Sequence, residues 1–321
     1  MKTNFLLGGA PKCGTTSLAN YLRDHPGIFL SLKKEPFFFA TDLPNLRRST
    51  RVDTDEAYAN LFRDAGPQHQ AIGEASTLYL FSDTAIENAL DYNPDMKFLF
   101  MLRHPVQVAH AFHMQMCFHE YEPCACFADA WADLPRRRQH PESLPERCCE
   151  ARMVDYDEIA ALGTQLDRAI ELIPAGQLKV WLFDDFVADP ASVYRDALKF
   201  LGVKDDGRSD FARANSAMRS RFPLVTRALR HDWVVAASTV AKKHLRGNVY
   251  AIARTVKHSL MFRSAPRESL PETLHRELHE HFLSEVKLIE TLLDRDLSAW
   301  KQFPESPVAE TCVAVETSAT R

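Results

Sequence analysis

No apolar run in this chain approaches the roughly 20 residues that a membrane-spanning helix needs. The longest, such as FLLGGAP and FLFML, have the length of strands. An excess of positive charge is also missing. Lys and Arg number 39 against 43 Asp and Glu, a net charge of −4, which excludes a globally basic nucleic-acid binder and leaves room only for a local basic patch. The cysteines lack an even count and a regular spacing: there are seven, in a chain large enough to bury its own core. A disulfide scaffold is therefore excluded, and a reduced, cytoplasmic protein is expected. Met1-Lys2-Thr3-Asn4 runs directly into a strand-like segment with a glycine turn, so no signal peptide is expected. What remains is ordinary globular composition, 45% hydrophobic and 26% charged over 321 residues. It excludes disordered, collagenous and coiled-coil chains. The length fits two domains or one enlarged α/β domain.

Four short, continuously apolar runs stand out: Phe5-Leu6-Leu7, Ile28-Phe29-Leu30, Phe98 to Leu102 and Val180 to Phe183, with a weaker fifth at Gln70 to Gly73. Continuous rather than alternating hydrophobicity predicts strands buried on both faces, as in a parallel sheet between helices. Helical patterns follow at Thr15–Asp24, Asp83–Asp91, Val106–Cys117, Tyr156–Leu172 and Pro190–Leu201. Pro271–Leu293 reads as one long amphipathic helix with Leu274, Leu278, Phe282, Val286, Ile289 and Leu293 on a single stripe. This alternation predicts a three-layer α/β domain over residues 1–300, with a central, mostly parallel sheet of about five strands and right-handed crossovers. Two stretches read as excursions over the active-site side. Residues 120–150 are rich in Pro, Cys and Arg; Arg219–Arg267 carries eleven Lys and Arg against one acid, Asp232. Residues 301–321 are short of large apolar side chains and are expected to be disordered.

Between the first strand and its helix lies Gly8-Gly9-Ala10-Pro11-Lys12-Cys13-Gly14-Thr15-Thr16-Ser17. A glycine-bearing turn at a helix N-terminus offers backbone N–H groups and the positive end of the helix dipole to an anion. Thr15, Thr16 and Ser17 add hydroxyls, and Lys12 adds a point charge. The spacing Gly9-xxxx-Gly14 matches a Walker A loop, yet Thr15 stands where its lysine belongs. Phe98–Leu102 ends in Arg103, not in the aspartate that would hold magnesium. An arginine there suits direct binding of a second anion, and ATP hydrolysis loses ground.

Pro11-Lys12-Cys13-Gly14-Thr15-Thr16 resembles the 5′-phosphosulfate loop of the sulfotransferases, which use 3′-phosphoadenosine-5′-phosphosulfate (PAPS). Leu102-Arg103-His104-Pro105 is similar to that family's Arg-x-Pro entry into its 3′-phosphate motif. Lys34-Glu35-Pro36-Phe37-Phe38-Phe39 and Gly73-Glu74-Ala75-Ser76-Thr77-Leu78-Tyr79 resemble segments of the bacterial and Golgi-type carbohydrate sulfotransferases. Phe183-Asp184-Asp185-Phe186, Asp189-Pro190, Phe200-Leu201-Gly202 and Leu297-Ser298-Ala299-Trp300 are similar to later parts of the family, so the resemblance spans roughly residues 4–300. It departs at two positions. The serine that usually holds the 3′-phosphate, eight residues after the arginine, is Ala111, and the second lysine of many Golgi-type members is Ala75.

The resemblance implies a sulfotransferase with PAPS as co-substrate, no metal, and a hydroxyl acceptor on a small molecule, glycan or lipid. Lys12 would neutralise the leaving phosphate, with Lys12, Cys13, Gly14, Thr15, Thr16 and Ser17 gripping the 5′ side and Arg103 forking onto the 3′-phosphate. Glu35, just after the second strand, would be the general base, with Phe37 to Phe39 shielding it from water; the alternative is a surface glutamate paired with Lys33 or Lys34. Glu74 reads equally as a second cleft carboxylate or as a buried partner of Lys12. Ser76 and Tyr79 either line the cleft or pack. His110, His113, Cys117 and His119, with Cys124, Cys126 and Cys148-Cys149 nearby, match no structural zinc spacing; His110 or His113 sits in register to stand in for the missing serine. The basic stretch 219–267 is open to three readings: a solvated helical face, a cationic wall over the active site, or a surface resting on anionic lipid. Competing functions are a phosphate-loop kinase and a catalytically degenerate nucleotide-binding protein.

Overall fold

The computed structural model describes residues 2–144, 148, 150–211, 218–220, 262–264 and 270–303. Five strands, β1 (Phe5–Gly9), β2 (Ile28–Leu30), β3 (Ala71–Ala75), β4 (Lys97–Leu102) and β5 (Leu178–Leu182), form one open sheet in the order β2-β3-β1-β4-β5. Every neighbouring pair is parallel. All residues of β1 and β3 are buried, as are five of the six in β4, because helices flank the sheet on both faces. That is why these runs are continuously apolar. The expected parallel α/β sheet of about five strands is borne out.

β1 lies in the centre. The chain leaves it toward the β2 side, whereas it leaves β4 toward the β5 side. The carboxyl ends of β1 and β4 therefore flank the crevice where open α/β sheets bind ligands. The segments that follow them are the glycine loop, leading into α1 (Thr15–Arg23), and Arg103-His104, leading into α2 (Pro105–His119).

Two expected long helices are each divided. Tyr156–Leu172 is α3 (Tyr156–Ala160) and α4 (Leu162–Leu172). The break frees carbonyls of α3, and the Gln165 side-chain amide satisfies those of Glu158 and Ile159 at 2.8 and 3.3 Å. Pro271–Leu293 is α7 (Glu272–His281) and α8 (Leu283–Leu293), once α5 (Phe183–Ala188) and α6 (Pro190–Leu201) are counted. Phe282 at the joint is buried beside Trp131. α4 and α8 approach so closely that a Cβ on Gly163 would lie 2.6 Å from the Glu285 carbonyl. α6 follows the rules its sequence advertises: the Asp189 carboxylate caps the Ser192 amide at 2.9 Å, Pro190 opens the first turn, and Gly202 closes it at φ 75°.

Within 120–150, residues Phe127–Ala132 and Leu134–Gln139 are short helices. They are anchored by buried Glu122, which pairs with Arg137 at 2.6 Å and accepts the Tyr156 hydroxyl at 2.8 Å. Burial works to raise the pKa of Glu122, but Arg137, the Cys124 amide and Tyr156 together hold it below the usual range. The chain divides into two compact units, 1–212 with 269–321, and 213–268. Of the second, the described part is an antiparallel pair, β6 (Met218–Ser220) and β7 (Phe262–Ser264). The rest of the basic stretch 219–267, Cys149 and the tail beyond residue 303 lie outside the described residues.

Candidate active site

The glycine loop is forced by its backbone. A Cβ on Gly9 (φ 112°) would lie 2.3 Å from the Met101 carbonyl oxygen, and that carbonyl then accepts the Ala10 amide at 2.9 Å. Lys12 (φ 66°) and Gly14 (φ 87°) both adopt left-handed backbone; for lysine this costs roughly 1 kcal/mol or more. Gly14 caps α1, and its carbonyl accepts the amides of Ser17 and Leu18 at 2.9 and 3.3 Å. The Thr15 and Thr16 amides, in the first turn, have no intrahelical acceptor and point out of the helix end. Lys12 is exposed, Thr16 and Ser17 are half-buried, and Thr15 is buried. The Cys13 side chain turns inward. The thiol is fully buried and directed at the Pro11 carbonyl, 3.4 Å away. Burial pushes its pKa far up, against the pull of Arg103 and Lys12, so only the Cys13 backbone is left to meet a ligand.

Arg103 is buried at the end of β4. Its Nη1 donates to the Lys12 carbonyl at 3.2 Å, its Nε donates to Gln107 at 2.7 Å, and its guanidinium lies 4.6 Å from the Phe183 ring centre. The Phe183 ring also faces Gly14, where a Cβ would meet it at 3.1 Å. Arg103 is thus both a cation at the crevice and a prop for the strained Lys12 backbone. The sequence suggested the first role and not the second.

Glu35 reaches the same sheet edge from β2. Its amide donates to the Ala75 carbonyl at 2.8 Å, and its carboxylate accepts the Thr77 amide at 2.9 Å and the Thr77 hydroxyl. The Lys34 ammonium pairs with it at 2.7 Å, so the lysine pairing is present alongside the clamp from β3. Phe38 and Phe39 turn into the core instead of around the carboxylate: Phe38 stacks on Tyr58 at 4.2 Å and Phe39 packs against Tyr79. Glu35 remains 26% exposed. Glu74 is not a cleft carboxylate, because it is fully buried on β3. Desolvation raises its pKa to about 8, with Tyr79, Ser76 and Lys34 opposing and Glu35 adding to the rise. Ser76 and Tyr79 are likewise buried.

Ala111 is buried on α2. The His113 ring bonds the Cys124 carbonyl at 2.9 Å and the Cys117 thiol approaches the same ring at 3.4 Å, while His110 packs on Phe127. Among the described residues, no group of three His, Cys, Asp or Glu could hold a metal ion. A latch from the C-terminal segment was not read from the sequence. Trp300 Nε1 donates to Asp184 at 2.7 Å, and the Trp300 carbonyl accepts from His104 Nε2 at 3.0 Å. His104 Nδ1 accepts the Val106 amide, so the proton sits on Nε2; burial lowers the pKa of this ring to about 4. Its two ends stood in the sequence only as separate segments of the resemblance, Phe183-Asp184-Asp185-Phe186 and Leu297-Ser298-Ala299-Trp300.

No protein-family model and no curated protein sequence matches this chain. Among solved structures, a sulfotransferase from Alicyclobacillus acidocaldarius is 28% identical with a TM-score of 0.68, over 94% of this chain and 100% of that one. Weaker likenesses include the sulfotransferase domain from the curacin biosynthetic pathway, 14% identical with a TM-score of 0.39 over 67% of this chain and 81% of that one. Mouse sulfotransferase SULT7A1, solved with PAP, is 12% identical with a TM-score of 0.41 over 64% and 60%. No described helix is long and apolar enough to cross a membrane. Similarity to the Alicyclobacillus sulfotransferase over nearly the whole length supports a transferase of the sulfotransferase type.

Proposed function

We propose that this protein transfers a sulfuryl group from PAPS to a hydroxyl acceptor, of the carbohydrate or glycolipid class, by in-line displacement. The observation that carries the reading is the hydrogen bond from Arg103 to the Lys12 carbonyl. It joins a glycine loop to a buried arginine at the position where a nucleotide hydrolase places its metal-binding aspartate. Two anion-binding elements on neighbouring strands suit a nucleotide phosphorylated at both ends.

In this reading the Thr15 and Thr16 amides, with the Thr15, Thr16 and Ser17 hydroxyls, hold the 5′-phosphate, while Arg103 meets the 3′-phosphate. Glu35 accepts the proton of the acceptor hydroxyl as that oxygen attacks sulfur. The bond from sulfur to the bridging phosphate oxygen breaks, and Lys12 neutralises the charge that grows there. The products are a sulfate ester and PAP. The clamp of Thr77 on Glu35 supports the role of base, since a base must be held before its substrate arrives. Thermal shift with PAP, ADP and ATP, with and without magnesium, tests the assignment. Magnesium-independent stabilisation by PAP is expected, and stabilisation only by ATP with magnesium would favour a kinase.

A further inference from the structure

Two residues with side chains sit in left-handed backbone one on each side of Pro36: Glu35 at φ 59° and Phe37 at φ 52°. Each costs roughly 1 kcal/mol or more and persists only where its surroundings impose it. What imposes it here is the chain leaving β3. The Ala75 carbonyl takes the Glu35 amide at 2.8 Å, the Ser76 hydroxyl takes the Phe37 amide at 3.2 Å, and Thr77 donates to the Glu35 carboxylate. Ser76 is fixed in turn. Its amide donates to the Leu7 carbonyl of β1 at 3.0 Å, beside the glycine loop, and its hydroxyl hydrogen goes to Glu74 Oε2 at 2.9 Å. A hydroxyl has one hydrogen, so giving it to Glu74 turns the oxygen lone pairs toward the Phe37 amide.

We propose that Glu74 and Ser76 are positioning residues for the base: Glu74 orients the Ser76 hydroxyl, Ser76 pins the Phe37 amide, and the left-handed turn so fixed holds the Glu35 carboxylate at the sheet edge. The proposal rests on the reading of Glu35 as base. Glu74 is fully buried, and among the described residues the groups that hydrogen-bond its carboxyl are the Ser76 and Tyr79 hydroxyls. An ionised carboxylate in that setting is strongly disfavoured, in keeping with a pKa near 8. The groups that face it are the Tyr79 and Tyr58 hydroxyls, the Lys34 cation and the Glu35 anion. Neutral Glu74 leaves Glu35 the only negative charge of the pair. Its ionisation above pH 8 sets two carboxylates against each other and disturbs the turn.

The test measures sulfate transfer by the full chain from labelled PAPS to acceptors in a protein-free cell extract, from pH 6 to 9.5, with PAP affinity by calorimetry. Ser76→Ala and Glu74→Leu are expected to lower turnover about tenfold, the effect of one hydrogen bond worth about 1.4 kcal/mol, with PAP affinity unchanged within about twofold. Glu74→Gln keeps an acceptor for Ser76 and rescues turnover to within about threefold of the unsubstituted protein at pH 7. It also removes the decline above pH 8. Full turnover in Ser76→Ala, which removes a single oxygen and is the variant best able to fold, would overturn the proposal. So would a Glu74→Gln loss as deep as that of Glu35→Gln, since Glu74 would then itself be the base. Full activity in Glu35→Gln, by contrast, would overturn the underlying assignment of the base.

Discussion

Arg103→Ala removes two kinds of interaction that can be separated by the choice of ligand. The first belongs to the protein: the hydrogen bond to the Lys12 carbonyl and the stack on Phe183, together worth about 1–2 kcal/mol. Their loss loosens the glycine loop and weakens any ligand with a 5′-phosphate. The second is a charged hydrogen bond to a 3′-phosphate, about 1.5–3 kcal/mol, which only PAP can use. The Kd for AMP is therefore expected to rise about 5- to 30-fold and that for PAP a further tenfold to about 150-fold. Calorimetric titration of AMP and PAP into both proteins, with a thermal melt to confirm folding, completes the cycle. Equal losses for the two ligands would refute the reasoning and leave Arg103 as a prop of the loop alone.

Lys12→Ala should lower turnover by about 100-fold or more, roughly 3 kcal/mol, and near-native rates in a folded variant would contradict its role at the leaving group. Glu35→Gln retains an oxygen for the Thr77 amide but cannot take a proton. Turnover should fall about 100-fold with PAP affinity nearly unchanged. The third concerns stability. Folded Glu74 holds its proton up to about pH 8, whereas the unfolded chain releases it near the ordinary glutamate value of about 4.5. Folding stability contributed by this group is full below about pH 4.5 and lost as pH rises to about 8. Urea unfolding at pH 5, 7 and 9 should show that slope flattened in Glu74→Gln; an identical slope in the variant would contradict it.

The sheet was legible because strands buried on both faces leave no polar alternation, and FLL, IFL and FLFML have no other economical placement. The loop was legible because glycines at positions 9 and 14 are demanded by positive φ and by the approach of Met101. The divided helices were not. An amphipathic stripe continues through a joint such as Phe282, and Gln165 reads as an ordinary surface polar residue until its amide is seen bonding Glu158 and Ile159. Glu74 stayed open between cleft and interior for a related reason: only the partners brought by β1 and the residue 35–37 turn reveal that it is enclosed. The Trp300–Asp184 latch links residues 116 apart in sequence, a distance over which local pattern carries no information.

The most direct measurement is transfer itself: the purified full chain, PAPS labelled in its sulfate, and a protein-free cell extract as the source of acceptors, without added magnesium. The predicted result is PAP formed in step with a labelled organic sulfate ester, at a rate about 100-fold lower in Lys12→Ala and in Glu35→Gln. Transfer of labelled phosphate from ATP with magnesium, and none of sulfate from PAPS, would contradict the account.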